Sequence, residues 1–140
     1  MSDLYDTDFY AWASQQAALL RAGNLSAADI ANIAEEIETM GRSEKRELVS
    51  RLTDLLLLLL KWDCQPGARC TSAELAIDIA RDAFGDQLAD NPSLKAVMPE
   101  LVARAFSRAR RQAAIDTGFV LESFPERCPW TFEQAMQVEP

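Results

Sequence analysis

Hydrophobic residues recur at intervals of three and four along most of the chain, which is the spacing of one face of an α-helix. No segment alternates apolar and polar residues in the way that a half-buried strand does. The pattern therefore predicts an all-α fold over residues 1–140, a compact bundle of four to six helices in a single domain. A long or kinked second helix and a short C-terminal helix are its expected features.

The first predicted helix begins near Asp6, a favourable N-cap residue, and ends at Ala22. Gly23 follows as the left-handed residue that commonly ends a helix. Ser26 is expected to cap the second helix, because Asp29 three residues later completes a weak capping box.

The second predicted helix, about residues 27–62, carries one long apolar stripe that is interrupted only around Glu44 and Lys45. A straight helix of this length would measure about 54 Å, which exceeds the width of a compact domain of this size. We therefore expect a kink or break between Gly41 and Ser43; an uninterrupted helix whose middle lies in solvent is the alternative. The stripe consists of Ile30, Ile33, Ile37, Met40, Gly41, Leu48, Leu52, Leu55, Leu56 and Leu59.

A third helix is predicted after the turn at Pro66 and Gly67. Thr71 and Glu74 have the spacing of a capping box at its start, and it ends near Ala89. The side chains expected to face the core are Leu75, Ala76, Ile79, Ala80, Ala83, Phe84 and Leu88.

A fourth helix and a tail complete the prediction. Pro99 suits the first turn of the fourth helix, which ends at Thr117 with Gly118 as its cap. In the tail, Thr131 and Gln134 can cap a short final helix. The apolar anchors expected in this tail are Trp130 and Phe132.

Composition excludes several classes of function. The 22 acidic and 14 basic side chains leave a net charge of −8, which disfavours binding to nucleic acids and to anionic membranes. The chain has no histidine, which rules out histidine-based triads, histidine–zinc sites and the Glu-x-x-His pairs of ferritin-type di-iron bundles. We expect no metal and no cofactor.

The cysteines indicate a reducing compartment. Cys64, Cys70 and Cys128 are an odd number, and the first ten residues are acidic where a secretory signal would be basic. Three thiols also fall one ligand short of a closed structural zinc site. The sequence therefore predicts free thiols and a cytoplasmic protein.

A run of six leucines, Leu55 to Leu60, lies between Asp54 and Lys61. It is far shorter than the ~20 apolar residues of a membrane-spanning helix, so no membrane segment is predicted. A helix that is apolar all round is normally buried, and this stretch is expected to be the central helix of the bundle. The alternative is that Leu57 and Leu58 form a self-association patch in a homodimer.

An arginine stripe, formed by Arg104, Arg108 and Arg111, recurs at spacings of four and three on the fourth predicted helix. Three guanidinium groups on one side of a helix suit phosphate or an acidic helix, although such a run of charge is normally only a solvated face. The stripe carries no aromatic residue that could stack on bases, so nucleic acid is disfavoured as a partner.

Five segments that follow one another along the chain carry a family resemblance. They are DFYAWASQQAALLRAGNL (8–25), IAEEIETMGRSEKREL (33–48), LLKWDCQP (59–66), NPSL (91–94) and FPERCPWTFEQ (124–134). Together they resemble the bacterial family catalogued as domain of unknown function twenty-nine. The resemblance covers nearly the whole chain and implies a small, all-helical, single-domain bacterial protein, but no activity, substrate or catalytic residue.

The same pattern draws attention to polar residues that packing does not readily explain. A chain without histidine has carboxylates, thiols, amines and tyrosines for chemistry, so these side chains form a candidate polar site. Its members are Tyr10, Glu36, Glu38, Arg42, Lys61 and Cys128.

Three hypotheses about function follow. The favoured one is a non-enzymatic helical interaction protein of the bacterial cytosol, with a second copy or another protein as its partner. The alternative is a small enzyme or ligand-binding protein that uses the candidate polar site. The third is a weak binder of nucleic acid or phosphate through the arginine stripe. A deep pocket in which candidate side chains converge would favour the alternative.

Overall fold

The computed structural model describes residues 3–137, and within this range the chain forms α-helices and no strand. The predicted all-α class is confirmed, as are the long helix and the short C-terminal helix. Short 3-10 helices occur at Pro66–Ala68, Pro92–Val97 and Leu121–Ser123. The α-helices are α1 (Asp3–Thr7), α2 (Phe9–Arg21), α3 (Ile30–Cys64), α4 (Thr71–Asp90), α5 (Met98–Thr117) and α6 (Phe132–Gln137).

The contacts within the chain divide it into two compact units. The N-terminal unit ends at Ser43, and the C-terminal unit begins at Glu44. Helix α3 contributes residues to each of them.

The break predicted between Gly41 and Ser43 is wrong, because α3 is uninterrupted from Ile30 to Cys64. Glycine in a helix interior costs only about 1 kcal/mol relative to alanine, too little by itself to end a helix. Side chains also support this turn: Arg42 Nη2 donates to Thr39 Oγ1 over 2.9 Å and to Glu35 Oε1 over 3.3 Å. The alternative, a continuous helix with an exposed middle, is what the structure shows.

The single first helix predicted from Asp6 to Ala22 is also wrong, because the structure has two helices, α1 and α2, in this region. Asp8 separates them and caps α2 by accepting a hydrogen bond from the backbone N–H of Ala11 over 3.1 Å. Gly23 follows α2 with a φ of 73°, the left-handed conformation predicted for it.

Asp29, rather than Ser26, caps α3. Its carboxylate accepts from the side-chain amide of Asn32 over 2.8 Å and from Trp12 Nε1 over 3.2 Å. Its backbone N–H donates to the buried Gln16 side chain over 2.6 Å. These bonds tie the start of α3 to α2, while the hydroxyl of Ser26 donates to Asn24 instead.

Three aromatic rings hold α1 against α2. The centroid of Tyr5 lies 4.6 Å from that of the buried Trp12 and 5.8 Å from that of Phe9, in edge-on geometry. Such edge-to-face pairs are worth about 0.5–1.5 kcal/mol beyond the area that they bury.

The core of the C-terminal unit is built on the leucine-rich half of α3. Leu52, Leu55 and Leu56 are completely or almost completely buried, together with Phe84 of α4 and Leu101 of α5. The prediction that the leucine run forms the central helix is thus confirmed for this unit. Trp130 and Phe132 pack against this core as partly buried side chains.

The predicted stripe of α3 is buried only in its C-terminal half. Ile30, Ile37 and Met40 are 52%, 60% and 63% exposed, whereas Leu48 and every stripe residue after it are buried. Apolar spacing shows which side of a helix can be buried, but not how far along the helix a neighbour covers it.

The face predicted for α4 is partly wrong. Phe84 and Leu88 are buried as predicted, but Leu75 and Ile79 are 54% and 69% exposed, and Ile77, which was not predicted, is buried. Leu75 and Ile79 lie on roughly the opposite side of α4 from the buried residues, and each group has helical spacing, so periodicity alone could not choose between them.

The predicted cap of α4 is wrong, whereas those of α5 and α6 are confirmed. Thr71 lies inside α4, whose N-cap is Cys70 without a side-chain cap, so the capping box at Thr71 is wrong. Gly118 has a φ of 75° and is the C-terminal cap of α5, as predicted. The predicted cap of α6 is confirmed, because Thr131 and Gln134 bond each other's backbone N–H groups over 3.0 and 3.2 Å.

A matched pair of leucine substitutions tests this core. Leu55→Ala should lower the free energy of unfolding by about 2–5 kcal/mol, because it leaves a cavity in a close-packed interior. Leu75→Ala is the same change at an exposed helical position and should alter stability by less than about 0.5 kcal/mol. Urea denaturation followed by circular dichroism measures both. Equal losses would contradict the assignment of buried faces.

Candidate functional site

A cleft of about 810 Å³ opens along one side of α5 in the C-terminal unit. Residues of α5 line it in two adjacent rows with a spacing of four, so the cleft follows the helix axis. The inner row consists of Met98, Val102, Phe106 and Arg110. Its first three members are apolar and buried, whereas Arg110 is charged and half-buried. The outer row begins with small residues, which keep the cleft open: Pro99, Ala103, Ser107 and Arg111.

The chain that returns after α5 forms the opposite wall. Gly118 turns the chain, Leu121 reaches the cleft, and the segment that follows supplies most of the remaining lining. Trp130 and Phe132 add aromatic surface there, as half-buried side chains. The segment 124–134, on which part of the family resemblance rests, therefore contributes a wall of this cleft.

Basic side chains outnumber acidic ones in the lining. Lys95, Arg110, Arg111 and Arg127 line the cleft together with two acidic residues, Glu126 and Glu133. None of the four basic side chains forms an ion pair with a carboxylate of residues 3–137. The lining thus carries a formal charge near +2 in a chain whose net charge is −8.

Arg110 is the most constrained of these cations. Its Nη2 donates to the carbonyl of Phe124 over 3.4 Å, which links α5 to the returning chain. Its Nε is buried and has no hydrogen-bond partner among the described residues. A buried polar group without a partner is rare, because an unmade hydrogen bond costs about 1–3 kcal/mol.

Cys128 also lines the cleft and is half-buried. Its thiol donates to the carbonyl of Trp130 over 3.2 Å. Burial raises the pKa of the Cys128 thiol, which keeps it protonated and a poor nucleophile. The hydrogen bond with Ser72 lowers the pKa of Cys70, which is exposed and lies outside the cleft.

The candidate polar site is distributed over both units. In the N-terminal unit, Tyr10 is 82% exposed, Glu38 is exposed, and Arg42 bonds Glu35 rather than another candidate. Glu36 is half-buried and accepts a hydrogen bond from the hydroxyl of Tyr5.

Its two other members lie in the C-terminal unit. Lys61 Nζ forms an ion pair with Asp116 Oδ2 over 2.7 Å, and its hydrogen bond lowers the pKa of that carboxyl. Cys128 bonds only the backbone of Trp130 among the described residues. Within each unit the candidates thus have separate partners, and a catalytic role for them stays a prediction.

One of the three members of the arginine stripe lines the cleft. Arg111 lines it, whereas Arg104 and Arg108 are exposed outside it. Leu57 and Leu58, the candidate association patch, are partly buried against the core of the C-terminal unit. Anion binding and self-association at these residues stay predictions.

Sequence reasoning did not select the residues that matter most in the cleft. The sequence pattern singles out none of Lys95, Arg110 and Arg127. One signal was available: the row from Met98 to Arg110 is an apolar stripe that ends in a cation. Nothing in the sequence, however, shows where the returning chain would pass.

Two structural tests concern metals and membranes. Among residues 3–137, no group of three or more cysteine or acidic side chains is placed to hold a metal ion. No helix in the same range is long and apolar enough to cross a bilayer.

Comparison with known proteins confirms the resemblance found in the sequence. The family model described as "Domain of unknown function DUF29" matches residues 4–139, which is nearly the whole chain. No curated protein and no solved structure matches the chain.

The Tyr5–Glu36 contact predicts an unusual alkaline titration. The hydrogen bond to Glu36, with a smaller effect of burial, raises the pKa of Tyr5 from its ordinary value of 10.0 to about 12. The chain has two tyrosines, so a Tyr10→Phe variant leaves Tyr5 as the only phenol. Its tyrosinate absorbance should appear with a midpoint near 12, and Glu36→Gln should lower that midpoint.

The sign of the effect on stability follows. The unfolded state loses the Tyr5 proton first, so the contact stabilises the fold fully below pH 10 and loses this effect as the pH rises through about 12. A midpoint near the ordinary value in both variants would contradict the contact.

Proposed function

The chain belongs to the DUF29 family, and we propose that it is a small-molecule-binding protein whose site is the cleft along α5. The observation that carries this proposal is the size and character of the cleft, about 810 Å³ with a mainly apolar lining. Ligand sites are typically about 300–1,000 Å³, mostly apolar, with a few polar groups that fix the orientation of the ligand.

An open apolar cleft costs stability relative to a close-packed interior. Apolar side chains beside an open volume lose dispersion contacts on that side. Filling the outer row with larger apolar residues would remove this cost, but the chain has Ala103 and Ser107 there. Small residues on the open side of an apolar row therefore support a binding role.

Binding is better supported than catalysis. Cys128 contributes a thiol to the lining of the cleft, and its raised pKa keeps that thiol in the unreactive protonated form. The remaining lining offers cations that can hold a ligand, but no histidine that could act as a general base at neutral pH.

We place this protein in the bacterial cytosol. The family resemblance implies a bacterial source. All three cysteines are free, as expected for proteins kept in a reducing compartment.

A variant that fills the cleft tests the proposal. Ala103→Phe should place a ring in the cleft and weaken binding of anilinonaphthalene sulfonate, a fluorescent probe with an apolar ring system, by at least about tenfold. Arg104→Phe puts the same ring on the neighbouring residue, which lies outside the cleft, and should leave affinity nearly unchanged. Fluorescence titration measures both. Equal affinity in the wild type and Ala103→Phe would refute the cleft as the site.

A second function, protein binding, is favoured by the exposed apolar surface of the N-terminal unit. Ile30, Ile37 and Met40 form an outer face of α3 that is more than half exposed. Contiguous exposed apolar surface commonly marks a site for a partner. Glu38 is exposed beside this face, and residues 1–43 contain seven acidic side chains against two basic ones.

This charge selects the kind of partner. Two copies of such an acidic unit repel each other, which disfavours a homodimer through this face. A basic amphipathic helix of another protein offers both an apolar side for the outer face of α3 and cations for the acidic rim. We therefore propose that helix as its occupant.

Two model peptides test this second proposal: an amphipathic helix of leucine and lysine, and a copy with glutamate at every lysine position. The lysine peptide should bind at least about tenfold more tightly. Ile37→Gln should remove that binding, whereas Ile79→Gln, the same change at an exposed residue of α4, should not. Isothermal titration calorimetry gives the affinities. Equal binding of both peptides, or sedimentation as a dimer that Ile37→Gln dissociates, would overturn it.

A further inference from the structure

The inner row of the cleft changes from apolar to charged along α5. From Met98 to Phe106 its inner row is apolar, and one helical turn later the row ends in Arg110. The row spans about 18 Å at about 1.5 Å per residue. A ligand that follows the inner row therefore meets apolar residues along most of its length and Arg110 at the C-terminal end, while Lys95 lines the cleft three residues before Met98.

Arg110 lacks an acceptor at this end. The Phe124 carbonyl takes one N–H of the guanidinium, and the buried Nε–H has no partner among the described residues. A guanidinium presents its donors in a planar fork that matches the two oxygens of a carboxylate or phosphate. An anionic group in the cleft can accept hydrogen bonds from the outer N–H groups of the guanidinium, which have no partner among the described residues apart from the Phe124 carbonyl.

Neighbouring charges favour the same kind of ligand. Arg111 follows Arg110 on α5, and Arg127 lies on the returning chain three residues after Phe124. Neither has an ion pair with a carboxylate of the described part of the chain. These cations are therefore available to an anion from solution, in a chain whose overall charge would otherwise repel it.

We propose that the ligand of the cleft is an amphipathic organic anion. Arg110 binds its acidic group, assisted by Arg111 and Arg127, and its chain or ring system lies along Met98, Val102 and Phe106 towards Trp130 and Phe132. This inference rests on the proposed binding function and adds the chemical class and the orientation of the ligand. A carboxylate, a sulfonate and a phosphate monoester share the required head group.

Three probes with the same eight-carbon chain test the head group: octanoate, octyl phosphate and octanol. By isothermal titration calorimetry, the wild type should bind at least one of the two anions about tenfold or more tightly than the alcohol. The stronger anion identifies the preferred head group. Arg110→Gln should abolish the preference for the anion while retaining affinity for octanol, because the apolar surface is unchanged.

Arg108→Gln is the matched control. It removes the same charge from an exposed residue of α5 outside the cleft and should keep the preference for the anion. If the thermal melt shows that Arg110→Gln does not fold, Arg127→Gln is tested instead. Arg127 is exposed, so this substitution should not disturb folding. It should reduce the preference for the anion severalfold.

The outcomes separate the two proposals. Equal affinity of the wild type for octanol and both anions would overturn the inference and leave the cleft as an apolar binding site. An anion preference that Arg108→Gln removes and Arg110→Gln retains would also overturn it, and would assign anion binding to the arginine stripe. Failure of all three probes, together with an Ala103→Phe variant that binds anilinonaphthalene sulfonate normally, would refute the cleft itself.

Discussion

Burial of the leucine-rich half of α3 is the interaction on which the C-terminal unit depends. A helix that is apolar all round cannot face water on any side, so neighbours must cover it. Phe84 of α4 and Leu101 of α5 do so, and both are completely buried. Because the core is close-packed, the burial of these residues also fixes how α4 and α5 are rotated about their own axes.

The cleft is a consequence of that orientation. Helix α5 turns Leu101, Ala105 and Ala109 towards the core, which places the row from Met98 to Arg110 at the margin of the buried face. The returning chain forms the opposite wall, and the small side chains of the outer row leave a gap between this wall and α5. A helix that is well packed on one side thereby carries a binding surface beside it.

The electrostatic potential at a site in this protein depends on where the charged side chains lie rather than on the net charge of the chain. A net charge of −8 disfavours anions on average, but a local potential is set by the few charges that the fold brings together. Arg110, Arg111 and Arg127 line the same cleft from two parts of the chain. In contrast, Glu35 and Arg42 form an ion pair with each other on α3.

The sequence alone determined the all-α class and the long helices, because helical spacing, Gly118 as a cap and the Thr131–Gln134 cap are local properties that depend on near neighbours. It also determined the family and the leucine core. Only the tertiary structure decided which side of α4 is buried and how far along α3 burial extends, since those depend on where another helix ends. The same holds for the cleft: its two walls are distant in sequence, and no periodicity within one helix can report that Arg110 and Arg127 share a surface.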